Sequence, residues 1–213
     1  MKEYEKKISS QQGEDGIIEH IFSKIGTTNK VAVEFGVAAN PSGISGGESN
    51  TLNLAVQGWQ TFWFDGAPIN NLPAGCTFKQ AILTPDNICD IFEEVVVPKD
   101  LDLLSIDVDG NDYHLREKLS GYNPRVVIME YNGSYDGVTE YIMPHNDNYS
   151  WQGVNDRSFG ASLLSLTQQA NRLGYDLVYC DQNGVNAFYV RKDINPFPVK
   201  TSQEAWIKLI WTR

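Results

Sequence analysis

A layered α/β fold around a mainly parallel β-sheet is what this sequence predicts, and three observations carry the prediction. Short apolar runs recur along the chain, several of them stopping at a glycine, a carboxylate or an amide. Apolar residues at helical spacing fill intervals between these runs. The last two runs are joined by Asn183-Gly184, a hairpin signal that makes the sheet end antiparallel. Strand and helix in alternation argue for strands joined by crossover helices.

The elements follow in order. Ile17, Ile21 and Ile25, with Ile18 and Phe22 beside them, form a helical face, with Asp15 placed as its cap and Gly26 past its end. Val31 to Gly36 (VAVEFG) is the first strand, apolar enough to be central and closed by a glycine. A Gly/Ser-rich stretch from Pro41 to Gly47 leads to Asn50, expected to cap a helix that carries Leu52, Ala55 and Val56 and closes at Gly58. Gln60 to Phe64 is the second strand, ending in Asp65 and Gly66, and Phe78 to Leu83 the third. Asn87 to Glu94 reads as a short helix with Ile88, Ile91 and Phe92 inward. Leu101 to Ile106 is a clear strand, punctuated by Asp107, Val108, Asp109 and Gly110. His114 to Leu119 is helical, and Arg125 to Met129 is a strand ending at Glu130 and Asn132.

From Gly133 to Phe159 the pattern gives way to Asn, Asp, Gly and Tyr. So long an irregular insertion in a compact domain reads as a lid or substrate wall. Leu163, Leu166, Ala170 and Leu173 then line a helix with Ser158 or Ser162 as its cap and Gly174 past its end. Leu177 to Cys180 and Ala187 to Arg191 complete seven strands. Trp206, Ile207, Ile210 and Trp211 make a terminal apolar face that packs on the domain or forms a homo-oligomer contact. The whole is one α/β domain: a Rossmann-like, seven-stranded, mostly parallel sheet with helices on both faces and an antiparallel final strand.

Composition narrows the function. At 213 residues the chain can bury a sizeable core without metals or disulfides. No apolar run approaches the roughly 18 residues that cross a bilayer, and the amino terminus lacks the apolar core of a secretory signal. The expectation is a cytoplasmic protein with no membrane partner. Lys plus Arg total 17 against 27 Asp plus Glu, a net charge of −10 with no basic patch to hold a phosphate backbone, so nucleic acid is not expected. Cys76, Cys89 and Cys180 are isolated and suggest neither a zinc cluster nor a disulfide framework.

In an open α/β sheet, ligands bind beyond the carboxyl ends of the strands. Four polar clusters fall there: Glu34 with Gly36, Asp65, Asp107 with Asp109, and Glu130 with Asn132. Gly36 lets the backbone approach an adenosine-bearing ligand, and Asp65 at the end of the next strand is placed to accept hydrogen bonds from ribose hydroxyls. The alternative is that these residues only close turns. No GxGxxG or GxxxxGKS/T sequence supports a dinucleotide or P-loop site. Asp107, Asp109, Glu130 and Asn132 offer oxygen ligands suited to Mg²⁺, Mn²⁺ or Ca²⁺, or, without a metal, a route to general-base chemistry. His114, just after this turn, is a candidate base or substrate contact. His145, in the polar loop, is a candidate substrate contact.

The arrangement VAVEFG, QTFWFDG, LLSIDVDGND and VVIMEYN resembles the class I S-adenosylmethionine-dependent methyltransferases, and within them the FkbM-like group. Ser10 to Asp15, Gly160 to Leu163, Gly174-Tyr175 and Asn186 to Phe188 extend the resemblance over most of residues 8 to 191. It implies that Glu34 and Gly36 belong to the first cofactor motif, that Asp65 binds the cofactor ribose, and that Asp107 stands beside the methyl donor. It also implies O-methylation of a hydroxyl on a sugar or other small molecule, with Asp107, Asp109 or His114 as base. Two departures stand out: Ala38 replaces the second glycine of the first loop, and Asp107-Val108-Asp109-Gly110 replaces the usual Asp-x-Glu-Gly. Two rival readings are a non-catalytic small-molecule or glycan-binding module and a metal-dependent hydrolase or transferase using Asp107, Asp109 and Glu130. Under the methyltransferase reading, Glu130, Asn132 and loop residues His145, Tyr149 and Trp151 contact the acceptor. Shortening Asn146 to Asn155 is then expected to spare donor affinity and impair transfer.

Overall fold

The computed structural model describes residues 1–37, 48–153 and 156–210. Ala38, the Pro41 to Gly47 stretch, Asn155 and Trp211 lie outside the described residues.

Seven strands form one sheet: β1 (Val31–Phe35), β2 (Gln60–Asp65), β3 (Cys76–Gln80), β4 (Asp100–Ile106), β5 (Asn123–Glu130), β6 (Tyr175–Cys180) and β7 (Asn186–Arg191). Their order is β3-β2-β1-β4-β5-β7-β6. Pairs among β1 to β5 are parallel, and β7 runs antiparallel to both β5 and β6. The expected Rossmann-like architecture, with its antiparallel last strand, is therefore the observed one. Among the described residues six α-helices flank the sheet: α1 (Glu14–Ile25), α2 (Leu52–Val56), α3 (Ile88–Glu94), α4 (Asp112–Lys118), α5 (Leu163–Arg172) and α6 (Ser202–Ala205).

Period-two alternation in the strands divides the core between two faces. Val31, Val33, Phe35, Val127 and Met129 point to one face, where Ile88 and Phe92 of α3, Leu115 of α4 and Leu166 of α5 pack. Ala32, Leu103, Val126 and Ile128 point to the other, against Ile17, Ile18 and Ile21 of α1 and Leu54 of α2. No helix among the described residues is long and apolar enough to cross a membrane.

Local details differ from the sequence expectation. Asp15 lies inside α1, not at its cap; its carboxylate instead accepts the N–H groups of Ile8, Ser9 and Ser10, each at 2.8 Å. Asn50 does not cap α2. The N-cap position of α2 is Thr51, with no side-chain cap; Ser49 Oγ accepts from the N–H groups of Thr51 and Leu52 in the turn before the helix, while Asn50 turns its amide to Ser105 at 3.0 Å. Val56 faces solvent at the end of α2. β3 runs earlier than Phe78 to Leu83, because an edge strand with half-exposed residues has no apolar run to mark its bounds. Ser162, one of two candidates, caps α5 by accepting from Ser165 N. Trp206 and Ile207 pack on the core, whereas Ile210 is 52% exposed.

Candidate functional site

The strand order reverses between β1 and β4, and a crevice opens beyond their carboxyl ends. Register decides what meets there. Phe35 pairs with Ile106 across β1 and β4, Phe35 with Phe64 across β1 and β2, and Ile106 with Met129 across β4 and β5. The residues that follow, Gly36, Asp65, Asp107 and Glu130, therefore come out level along one rim.

Gly36 has φ +67° and donates its N–H to Phe64 O at 3.0 Å. Only glycine adopts this conformation freely, and here a side chain would also run into the Asp107 carbonyl. Glu34 is buried, accepting from Asn50 N at 2.7 Å, from Thr51 N at 3.1 Å, and from the hydroxyls of Ser49 and Thr51. Burial raises its pKa, and these donors pull the other way. Glu34 thus ties the start of α2 to β1 and forms part of the cavity wall. Burial likewise raises Asp65, against one hydrogen bond from Ala67 N at 2.7 Å.

Two cavities share this rim. The larger, about 410 Å³, is lined by Glu34, Gly36, Asp65, Asp107 and Asp109 from the strand ends and by Asn146, Asp147 and Tyr149 from the polar loop. The smaller, about 170 Å³, has Glu130 and Trp151 on its wall, with Val185, Leu209 and Ile210 making an apolar side. Asp107, Asp109 and Gln11 line both. The turn after β4 accounts for the shared wall: Asp109 takes φ +61°, costly for a residue with a side chain, and strain of this kind gathers at functional sites.

Electrostatically the junction is acidic. Burial first, then the charges of Asp112, Asp109 and Glu34, push Asp107 well above the usual carboxylate range. Burial, followed by Asp107, Asp112 and Asp109, does the same to Glu130. Loss of water, then Asp65, raises Asp109. Burial and mutual repulsion thus raise the proton affinity of all three carboxylates, the direction in which a general base is tuned.

Glu34, Gly36, Asp65, Asp107, Asp109, Glu130, Tyr149 and Trp151 thus come together, and three other candidates do not. Asn132 is fully buried and lines neither cavity; its amide donates to Arg157 O and Phe159 O at 2.9 Å, and its oxygen accepts from Ser134 N at 3.1 Å. It pins the polar loop to the end of β5. His114 Nε2 is bonded to Met143 O at 2.8 Å, holding α4 to that loop. His145 is exposed and bonded to Asp147 at 2.6 Å. Neither histidine lines the two cavities.

Several site residues carry no local sequence signal for this role. Gln11 and Gln12 reach the cavities because Asp15 gathers the N–H groups before them and Glu14 accepts from Gln12 N at 2.8 Å. Leu209 and Ile210 arrive on a carboxyl-terminal segment held by Leu209 N to Gly133 O and Ile210 N to Asn183 O.

No protein-family model matches the chain, and no curated protein matches it. Solved structures similar to it include magnesium protoporphyrin IX methyltransferase from Synechocystis PCC 6803 with bound SAM. That chain is 11% identical, with 84% of this chain and 77% of that one covered and a TM-score of 0.48. The same enzyme with bound SAH gives 10% identity, 84% and 81% coverage, and a TM-score of 0.47.

Proposed function

We propose that this chain binds S-adenosylmethionine in the larger cavity and transfers its methyl group to a hydroxyl of a small molecule, a sugar among the candidates, held in the smaller one. The observation that carries the reading is that the two cavities meet at Asp107 and Asp109. A group-transfer enzyme needs donor and acceptor side by side at one reacting point, because orientation supplies much of the rate gain. Strand order supports it as well: β3-β2-β1-β4-β5-β7-β6 with β7 antiparallel is the order of the class I methyltransferases that the sequence resembles.

The chemistry follows from the walls. Asp65 accepts from the ribose hydroxyls, and Gly36 admits the backbone-hugging part of the donor. Among the described residues no lysine, arginine or histidine lines either cavity, which favours a cationic sulfonium donor and a neutral or cationic acceptor over phosphorylated compounds. In the transfer, the acceptor oxygen attacks the sulfonium methyl, the new C–O bond forms as the C–S bond breaks, and the hydroxyl proton passes to Asp107 or Asp109. The products are S-adenosylhomocysteine and a methyl ether.

Calorimetry with S-adenosylmethionine and S-adenosylhomocysteine, beside NAD and ATP, tests the reading. Saturable binding of the first pair alone is expected. Its absence in folded protein would remove the proposal, while binding without turnover on any hydroxyl acceptor would leave a non-catalytic binding module.

A further inference from the structure

Carboxylate oxygens of Asp107, Asp109 and Glu130 all lie within 4.8 Å of one another. Like charges at this spacing repel, and no basic side chain among the described cavity residues offsets them. Hydrogen bonding supplies a second and independent observation. Glu130 Oε2 and Asp112 Oδ2 are buried without a hydrogen-bond partner, and they are the only carboxylate oxygens among the described residues in that state. Asp112 is 0% exposed, its other oxygen accepting Val108 N at 2.8 Å, and its charge acts on both Asp107 and Glu130. Elsewhere this fold satisfies its buried acids: Asp102 accepts from the backbone N–H groups of Thr28, Asn29 and Lys30. Orphaned carboxylate oxygens confined to one acidic cluster mark a place built for a positive charge.

We propose that Asp107, Asp109 and Glu130 hold one divalent cation at the junction of the two cavities. Three carboxylates and no nitrogen or sulfur donor select a hard ion, Mn²⁺ or Mg²⁺, which keeps open positions for water or an acceptor oxygen. Asn132 takes no part, since its amide is fully engaged in holding the polar loop. Asp112 acts from behind the ligands as a positioning charge. The cation's catalytic meaning rests on the methyl-transfer reading, for which it would draw the acceptor hydroxyl toward the donor methyl and favour its ionised form. Binding of the ion does not depend on that reading.

The test uses the full chain freed of metal with EDTA and titrated with MnCl₂ by calorimetry, with MgCl₂ and CaCl₂ as further arms and Mn²⁺ electron paramagnetic resonance to count sites. One Mn²⁺ per chain is expected, with E130Q and D109N each weakening binding about tenfold or more and D136N, in the exposed part of the polar loop, leaving it unchanged. Should E130Q not fold by circular dichroism, the exposed D109N decides. Absence of saturable Mn²⁺ binding, or wild-type affinity in the folded variants, would overturn the proposal. S-adenosylhomocysteine binding, measured separately in EDTA, keeps the two readings apart: its failure beside retained Mn²⁺ binding removes methyl transfer and leaves the metal site standing.

Discussion

The backbone carbonyl oxygen of Asp107 lies 1.6 Å from where a Cβ on Gly36 would stand. The ends of β1 and β4 are therefore closer than any side chain at position 36 permits, and the crevice depends on that approach. Gly36→Ala should lower stability by about 4 kcal/mol or more in urea unfolding, or prevent folding. Gly26→Ala and Gly58→Ala, also at positive φ but with nothing within 4 Å, should cost only about 1–3 kcal/mol.

Asp65 stands at the end of β2 with one oxygen engaged by Ala67 N. If its carboxylate meets the ribose, Asp65→Ala should weaken S-adenosylhomocysteine binding roughly 10- to 100-fold, the worth of charge-assisted hydrogen bonds. An unchanged dissociation constant by calorimetry would place the ribose elsewhere.

Tyr149 lines the larger cavity and Trp151 the smaller. Tyr149→Ala should raise the donor dissociation constant, and Trp151→Ala should raise KM for the acceptor while leaving donor affinity within about twofold. Asn146, Asp147 and Tyr149 line the larger cavity, so on the proposed reading this part of the polar loop would serve the donor and Trp151 the acceptor. Steady-state kinetics together with donor titrations on both variants check the split.

Asp181 is buried at the β6–β7 turn, where it accepts from Asn183 N and Asn186 N, and burial pushes its pKa up to about 6. In the unfolded chain an aspartate titrates near 3.9. A raised folded value means that the contribution is fully present below about pH 4 and is lost as pH rises through about 6, a loss of about 3 kcal/mol. Chemical unfolding between pH 4 and pH 7.5 should show stability falling with pH. Asp181→Asn, whatever its baseline, should show a shallower slope.

Asn132→Ala removes the two donations that pin the polar loop. Stability should fall by about 2 kcal/mol or more, with donor affinity retained. A selective loss of acceptor turnover with unchanged stability would restore Asn132 to the site.

Legibility in the sequence tracked how local each signal was. The ends of β1, β2, β4 and β5 were readable because a central strand must be apolar on both faces, so the first polar residue after the run marks the rim. Lys79 and Gln80 on the edge strand break that logic, and Ile82 and Leu83, which lie past the strand, drew its expected bounds too late. Asp15 and Asn50 sit beside helix starts, yet each bonds to a partner that chain folding supplies. His114 follows the turn after β4 and His145 lies in the polar loop, yet position along the chain says nothing about where a ring points. Gln11 and Leu209 have no neighbouring pattern to betray them, and the apolar face that includes Ile210 does not say which part of the domain it meets, since long-range packing alone brings these residues to the cavities.

The segment that carries Leu209 and Ile210 threads between Gly133 and Gly184, whose missing side chains leave room for its backbone. Synthesis therefore assembles the two halves of the site at different moments. Every residue lining the larger cavity has been made once translation passes Asn186, whereas Leu209 and Ile210 of the smaller cavity wait for more than twenty further residues to emerge. A nascent chain at that stage has the material for one cavity and not the other, and an affinity tag fused close behind Ile210 would strain the late-arriving side first.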